Sequence, residues 1–292
     1  MTAHLIHIGL PKAGSTFLQH WFEAHPQLAY SESGIAGYRD VYAVAGEAAR
    51  PAAGIRYRVT SYEGLSAPGH ASGGPTVDYE RDARDSVSDE QARACQALAG
   101  LFPGSTILVV TRGYRSAMYS AYSQYVLTGG CATLDEATRR PPDDYPWDYD
   151  ALIAAYRARF GAEKVIVMPF ELLQDNQDRF LREIGRRLAI EYMSCDRPPA
   201  NVAASPAELA WYRLWNKALR HVPLPGARRL YARLRYGRRL SGLARIAQHL
   251  FPLIAAGPEH MPDSFLDGFR GKAETLRREP LYAPYLRDYL LA

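Results

Sequence analysis

The sequence is poor in cysteine, in long apolar runs and in net charge. Its 292 residues include three cysteines, Cys95, Cys131 and Cys195. They are far apart and match no metal-ligand spacing, so we expect reduced thiols. No run of about 18 apolar residues occurs, which argues against a transmembrane helix. The net charge of +4 gives no indication of a nucleic-acid partner, and none is expected. The N-terminus lacks the pattern of a secretory signal, and we expect a cytoplasmic protein.

The order of predicted elements indicates an α/β fold. Apolar runs predict strands at residues 5–9, 56–62, 106–111 and 164–168, and helical patterns fall at 15–24, 90–101, 116–127, 149–160 and 178–188. This alternation predicts a three-layer α/β/α arrangement around a mainly parallel sheet. From residue 205 onward the pattern is helical. We therefore expect one domain over 1–292, with a nucleotide-binding core at 1–200 and a mostly helical extension at 201–292.

A glycine-rich segment between the first strand and the first helix predicts a P-loop-like phosphate site. It reads Gly9-Leu10-Pro11-Lys12-Ala13-Gly14-Ser15-Thr16. A turn there presents backbone N–H groups to an anion, and the helix dipole favours negative charge. In the nucleotide-triphosphatase loop a lysine follows the second glycine, whereas here Ser15 does and the lysine is Lys12. No apolar strand ends in an aspartate that could hold magnesium, so no metal is expected. The alternative is that Gly14 only turns the chain and that Lys12 is solvated.

A second anion signal follows the strongest predicted strand. Arg112 ends this strand, and Ser120 follows eight residues later. Ligands of open parallel sheets bind at the carboxyl ends of strands, and arginine suits phosphate. Taken alone, Arg112 could cap an acidic surface group and Ser120 could be an ordinary helix serine. Together, the two signals predict a nucleotide with phosphates on its 5′ and 3′ positions.

These motifs resemble those of sulfotransferases that use 3′-phosphoadenosine 5′-phosphosulfate (PAPS). Residues 11–17, Pro-Lys-Ala-Gly-Ser-Thr-Phe, look like the family's 5′-phosphosulfate loop, with Ala13 as a departure. Arg112, Ser120 and Tyr122 match the spacing of its 3′-phosphate element, although Gly113-Tyr114 replaces the usual Asn-Pro. Residues 149–173 are also similar. The resemblance covers roughly residues 5–220.

The resemblance implies transfer of a sulfuryl group from PAPS to a hydroxyl or amine. The acceptor would be a glycan, a glycolipid or a small metabolite. Lys12 would contact the bridging oxygen that gains charge, and Arg112 with Ser120 would hold the 3′-phosphate. The 5′ site would comprise Ala13, Gly14, Ser15, Thr16 and Phe17. Within that set Phe17 either lies near the adenine or packs in the core.

The acceptor also needs a general base. Glu63 is the first candidate because it ends the second predicted strand, before a segment at 64–75 rich in Gly, Ser, Ala and Pro. That segment is predicted to be a lid or an acceptor-facing loop. Glu32 is the second candidate and His70 the third. Each could instead be an ordinary surface residue.

Residues 211–249 contain ten Lys or Arg and no Asp or Glu. The segment could bind an anionic acceptor, make a peripheral contact with the inner membrane surface, or be a solvated face. Two other functions stay open. One is a P-loop kinase that uses ATP and magnesium. The other is a non-enzymatic adaptor that binds membranes or nucleic acid through this segment.

Overall fold

The computed structural model describes residues 3–30, 53–66, 86–195, 204–220, 225–237 and 239–291. The candidate bases Glu32 and His70 lie outside the described residues, as does the larger part of the predicted 64–75 loop. The described residues include the glycine-rich segment at residues 9–16, Glu63 and Arg112.

Five parallel strands form one sheet in the order β2-β3-β1-β4-β5. The strands are β1 Ala3–His7, β2 Leu28–Tyr30, β3 Tyr57–Ser61, β4 Thr106–Thr111 and β5 Val165–Pro169. In β4 the four residues 107–110 are all fully buried. Because successive side chains of a strand point to opposite faces, both faces of the sheet are covered. The predicted α/β fold with a parallel central sheet is confirmed.

Among the described strands, the short strand β2 is the one that the sequence did not predict. It has three residues, too few for a strand pattern, and pairs with β3 through Leu28 opposite Tyr57. Its position at the edge of the sheet comes from the helix before it, which returns the chain beside β3.

Strand β1 lies between β3 and β4, and this position locates the site. Leu5 of β1 pairs with Val59 of β3 and with Thr106 of β4. The chain builds β2 and β3 on one side of β1 and then crosses to β4 on the other side. Ligands of open α/β sheets bind at such a reversal, outside the carboxyl ends of the strands.

Seven helices connect or follow these strands up to residue 195 in the described part of the chain. They are α1 Ser15–Ala24, α2 Val87–Leu101, α3 Tyr114–Leu127, α4 Leu134–Ala137, α5 Tyr149–Phe160, α6 Phe170–Asp175 and α7 Gln177–Leu188. Helix α2 begins three residues before its predicted start because Ser86 and Asp89 form a capping box. Helix α4 and a 3₁₀ turn at Pro142–Asp144 interrupt what the sequence indicated to be a loop.

The C-terminal part is mostly helical, as predicted. It contains α8 Pro206–Arg220, α9 Pro225–Tyr236, α10 Ser241–Leu250, α11 Asp263–Asp267 and α12 Leu286–Leu290. Its last portion returns to the sheet: Tyr282 and Tyr289 are fully buried, and both hydroxyls contact Thr111 Oγ1, at 2.7 and 3.2 Å. Among the described helices, none has the length and apolar character needed to cross a membrane.

Candidate functional site

The loop between β1 and α1 is tightly wound. Gly14, the N-cap of α1, has φ of 86°, and Lys12 has φ of 65°. Positive φ on either side of Ala13 is typical of backbone concavities that bind anions. A Cβ on Gly9 would lie 2.5 Å from Ser15 Oγ, and one on Gly14 would lie 2.8 Å from a methyl group of Leu173. Glycine is therefore required at both positions.

The start of α1 leaves polar groups available to a ligand. No side chain caps it, and no acidic residue lies in its first turn. The first N–H groups of a helix have no partner within the helix. Ser15 Oγ is buried, and no hydrogen bond of ordinary geometry satisfies it. A buried hydroxyl of this kind needs an explanation. An anion bound at the start of α1 would supply one by accepting a hydrogen bond from it.

The side chain of Lys12 lies over this loop. Its Nζ donates to Gln124 Oε1 of α3 at 3.2 Å. Burial lowers the pKa of Lys12, the nearby Glu63 carboxylate opposes this shift, and Arg112 adds to it. An acid and a second cation therefore both lie near enough to the Lys12 ammonium to influence its pKa.

Glu63 reaches the same place from β3. It begins a 3₁₀ turn, Glu63–Leu65, directly after this strand. Ser66 fixes the turn, because its Oγ donates to Gly9 O at 2.8 Å. Burial raises the pKa of Glu63, while the Ser15 hydroxyl and the Lys12 ammonium favour the ionised form. The Ser15 hydroxyl lies close to Glu63 but makes no hydrogen bond of ordinary geometry.

Arg112 joins the loop from the end of β4. One guanidinium NH donates to Lys12 O at 2.6 Å, and Nε donates to Ser116 Oγ at 2.9 Å. The guanidinium also lies 4.6 Å from the centre of the Phe170 ring. The hydroxyl that Arg112 contacts thus belongs to Ser116 and not to Ser120. Ser120 is buried one turn further along α3.

Glu171 supports the Arg112 region from behind. It accepts from Gly113 N at 2.8 Å and from Tyr289 OH at 2.6 Å. Burial raises the pKa of Glu171, although these hydrogen bonds and Arg112 oppose the shift. Burial lowers the pKa of Arg112, which Glu171 partly offsets. The C-terminal helix α12 therefore helps to position the site.

Sequence reasoning missed Ser116, Gln124 and Glu171. Ser116, Ser120 and Gln124 recur every four residues on α3, a spacing that places side chains on one helix face. This polar row on one face of α3 was a signal for two of the missed residues. Glu171 lies within the segment that resembled the sulfotransferases, but nothing local indicated its contact with Gly113.

Two further side chains near the loop are buried. Phe17 packs in the core. The fully buried His7 contacts Ser61 Oγ through Nδ1 at 2.8 Å, and burial lowers its pKa to about 3. His7 is therefore neutral near pH 7.

Comparison with known proteins finds similarity in structure but not in sequence. No family model matches the chain, and no curated protein matches it. A solved sulfotransferase from Alicyclobacillus acidocaldarius is 17% identical, with a TM-score of 0.47 over 78% of this chain and 99% of that one. A similarity this low assigns no function, so functional inference depends on the site itself.

The site combines two cations, an open helix start and a carboxyl group of raised pKa. Arg112 donates to the Lys12 carbonyl beyond the ends of β1 and β4, and Glu63, which follows β3, lies near enough to influence the pKa of Lys12. Within the described residues, no group of three His, Cys, Asp or Glu could hold a metal ion. This arrangement suits an anionic ligand beside a group that can accept a proton.

Proposed function

We propose that this chain is a sulfotransferase that moves a sulfuryl group from PAPS to a hydroxyl or amine of an acceptor. The acceptor is a glycan, a glycolipid or a small metabolite. One observation carries the proposal: Arg112 contacts the loop through the Lys12 carbonyl, Glu63 lies near enough to influence the pKa of Lys12, and the uncapped start of α1 has a buried serine hydroxyl without a hydrogen bond of ordinary geometry. This reaction requires one cationic group for each of the donor's two phosphate positions, together with a base near the acceptor.

The loop residues fit the 5′ end of the donor. The amides of Ala13 and Gly14, with the groups of Ser15 and Thr16, are the donors that would surround a phosphosulfate. Gly9 and Gly14 let Ser15 and the side chains of Leu173 and Phe170 pack directly against the loop, which fixes its backbone conformation. These features support an anion in this position.

The Arg112 side chain fits the 3′-phosphate. Its present partner, the carbonyl oxygen of Lys12, is 2.6 Å away. Holding the phosphate would replace this contact, while Ser116 and Ser120 would add hydroxyl donors from α3. Glu171 and the Phe170 ring keep the guanidinium near the end of β4.

In the reaction, the bond between sulfur and the donor's phosphate oxygen breaks. A bond forms between the same sulfur and the acceptor oxygen or nitrogen. The acceptor's proton passes to Glu63, whose raised pKa makes it a better base than a solvated glutamate. Lys12 stabilises the charge that develops on the departing phosphate oxygen.

A thermal-shift titration tests nucleotide choice. Adenosine 3′,5′-bisphosphate should raise Tm, and a concentration of about 100 times Kd corresponds to about 2.7 kcal/mol of stabilisation. ATP with magnesium should have little effect. The reverse preference would indicate a kinase, and no response to either nucleotide would favour the non-enzymatic adaptor.

The variant Lys12→Met tests the chemical role of the ammonium. Donor consumption should fall about 10²–10³-fold, the range for loss of one donor that stabilises developing charge. Lys217→Met is the matched control because Lys217 is exposed on α8, and its activity should be unchanged. Unaltered turnover in Lys12→Met would refute the assigned role.

A further inference from the structure

A row of large apolar side chains is exposed on α10 and the turn after it. Leu243, Ile246, Leu250, Phe251 and Ile254 are between 54% and 100% exposed. The first three follow the spacing of one helix face, and Ile254 is fully exposed. We call these five residues the apolar row. An exposed contiguous set of this kind marks an interaction surface.

The apolar row is carried by an ordered backbone. Gln248 of α10 accepts from Leu253 N at 3.1 Å and donates to Leu253 O at 3.0 Å. It also accepts from Trp211 Nε1 of α8 at 3.1 Å. Ala244, on the opposite face of α10, is fully buried. The structure therefore holds these apolar side chains outward while the other helix face packs inward.

The surroundings of the apolar row are basic. Arg245 and His249 are exposed on α10, where they line a cleft with the buried Glu208, and Arg239 is exposed just before this helix. No acidic residue occurs in 211–249. The nearest one before this segment, Glu208, is buried. Arginine beside exposed apolar side chains is typical of helices that lie in the interface of anionic bilayers.

One basic residue of the segment has a structural role instead. Arg235 is buried, donating through Nε to Leu127 O at 2.9 Å and through NH1 to Asn216 Oδ1 at 2.6 Å. It satisfies a carbonyl at the C-terminal end of α3. Experiments on the surface must therefore leave Arg235 in place.

We propose that the apolar row docks this protein on the surface of an anionic lipid bilayer. The apolar side chains would enter the headgroup boundary, and Arg239 and Arg245 would contact lipid phosphates. A symmetric contact with a second copy is disfavoured, because it would place the same basic patch against itself. The inference does not depend on the proposed sulfotransferase activity.

Vesicle sedimentation tests this proposal. The full chain should sediment with vesicles of phosphatidylcholine and phosphatidylglycerol, but not with phosphatidylcholine alone. Removing one arginine, as in Arg245→Ala, should lower the partition coefficient about fivefold. The triple variant Ile246→Ser, Phe251→Ser, Ile254→Ser should lower it at least about tenfold. Because these side chains are exposed, the variants should keep the wild-type Tm.

The matched control is Leu101→Ser. Leu101 is 42% exposed at the end of α2, outside residues 211–249. Loss of its apolar side chain should therefore not alter sedimentation with vesicles. The proposal is overturned if the wild type does not bind anionic vesicles, or if it binds both vesicle types equally. It is also overturned if sedimentation velocity shows a dimer that Ile254→Ser dissociates, since a second copy would then cover the row.

Discussion

The sharpest test of the phosphate loop is a pair of glycine-to-alanine variants. Gly14 and Gly54 have similar backbone conformations, with φ of 86° and 76°. They differ in surroundings: a Cβ on Gly14 would lie 2.8 Å from Leu173 Cδ2 and 3.2 Å from the Phe170 ring, whereas one on Gly54 would meet nothing within 4 Å. The pair therefore separates backbone strain from close packing at the loop.

The expected magnitudes follow from these contacts. A left-handed alanine costs about 1–2 kcal/mol, and this cost applies to both variants. Forcing a methyl group into packed side chains adds about 1–3 kcal/mol at Gly14 alone. At about 2 °C per kcal/mol for a chain of this size, Gly14→Ala should melt about 2–6 °C below Gly54→Ala.

The assay is thermal unfolding with and without adenosine 3′,5′-bisphosphate. Gly54→Ala should keep the wild-type nucleotide shift, while Gly14→Ala should lose most of it, since the displaced loop no longer presents its amides. Equal melting temperatures for the two variants would refute the packing argument. A full nucleotide shift in Gly14→Ala would refute the placement of the phosphate.

Two further predictions concern the pH dependence of Glu63 and the structural role of Arg235 within residues 211–249. Because burial raises the pKa of Glu63, kcat/KM should increase with pH, and the midpoint of this increase should lie above the pKa of an ordinary glutamate. In a pH–rate profile, Glu63→Gln should abolish the increase and lower kcat/KM about 10²–10⁴-fold. The ionised carboxylate opposes folding above its raised pKa, so Glu63→Gln should raise Tm at neutral pH; a lower Tm would contradict the burial argument. Arg235→Met should cost about 2–3 kcal/mol in denaturant unfolding, because Leu127 O and Asn216 lose a charged donor. The exposed control Arg239→Met should change stability by less than about 0.5 kcal/mol, and equal losses would refute the buried role.

The predicted and observed elements agree best where a local sequence pattern determines the secondary structure. The run at β4 and the turn that carries Gly14 are visible in the sequence, because apolar runs and glycine act over a few residues. Strand β2 is too short to leave such a pattern. The start of α3 at Tyr114, two residues before its predicted start, is what brings Ser116 within reach of Arg112.

The sequence by itself determined the parallel α/β class and the two segments, around Lys12 and Arg112, that carry the cations. Only the tertiary structure decided what these cations contact. Arg112 reaches Lys12 O across 100 residues, Lys12 reaches Gln124 across 112, and Tyr289 reaches Glu171 across 118. No local pattern encodes such pairs, because strand order brings them together. The burial that raises the pKa of Glu63 likewise arises only when β3, β1 and β4 are assembled side by side.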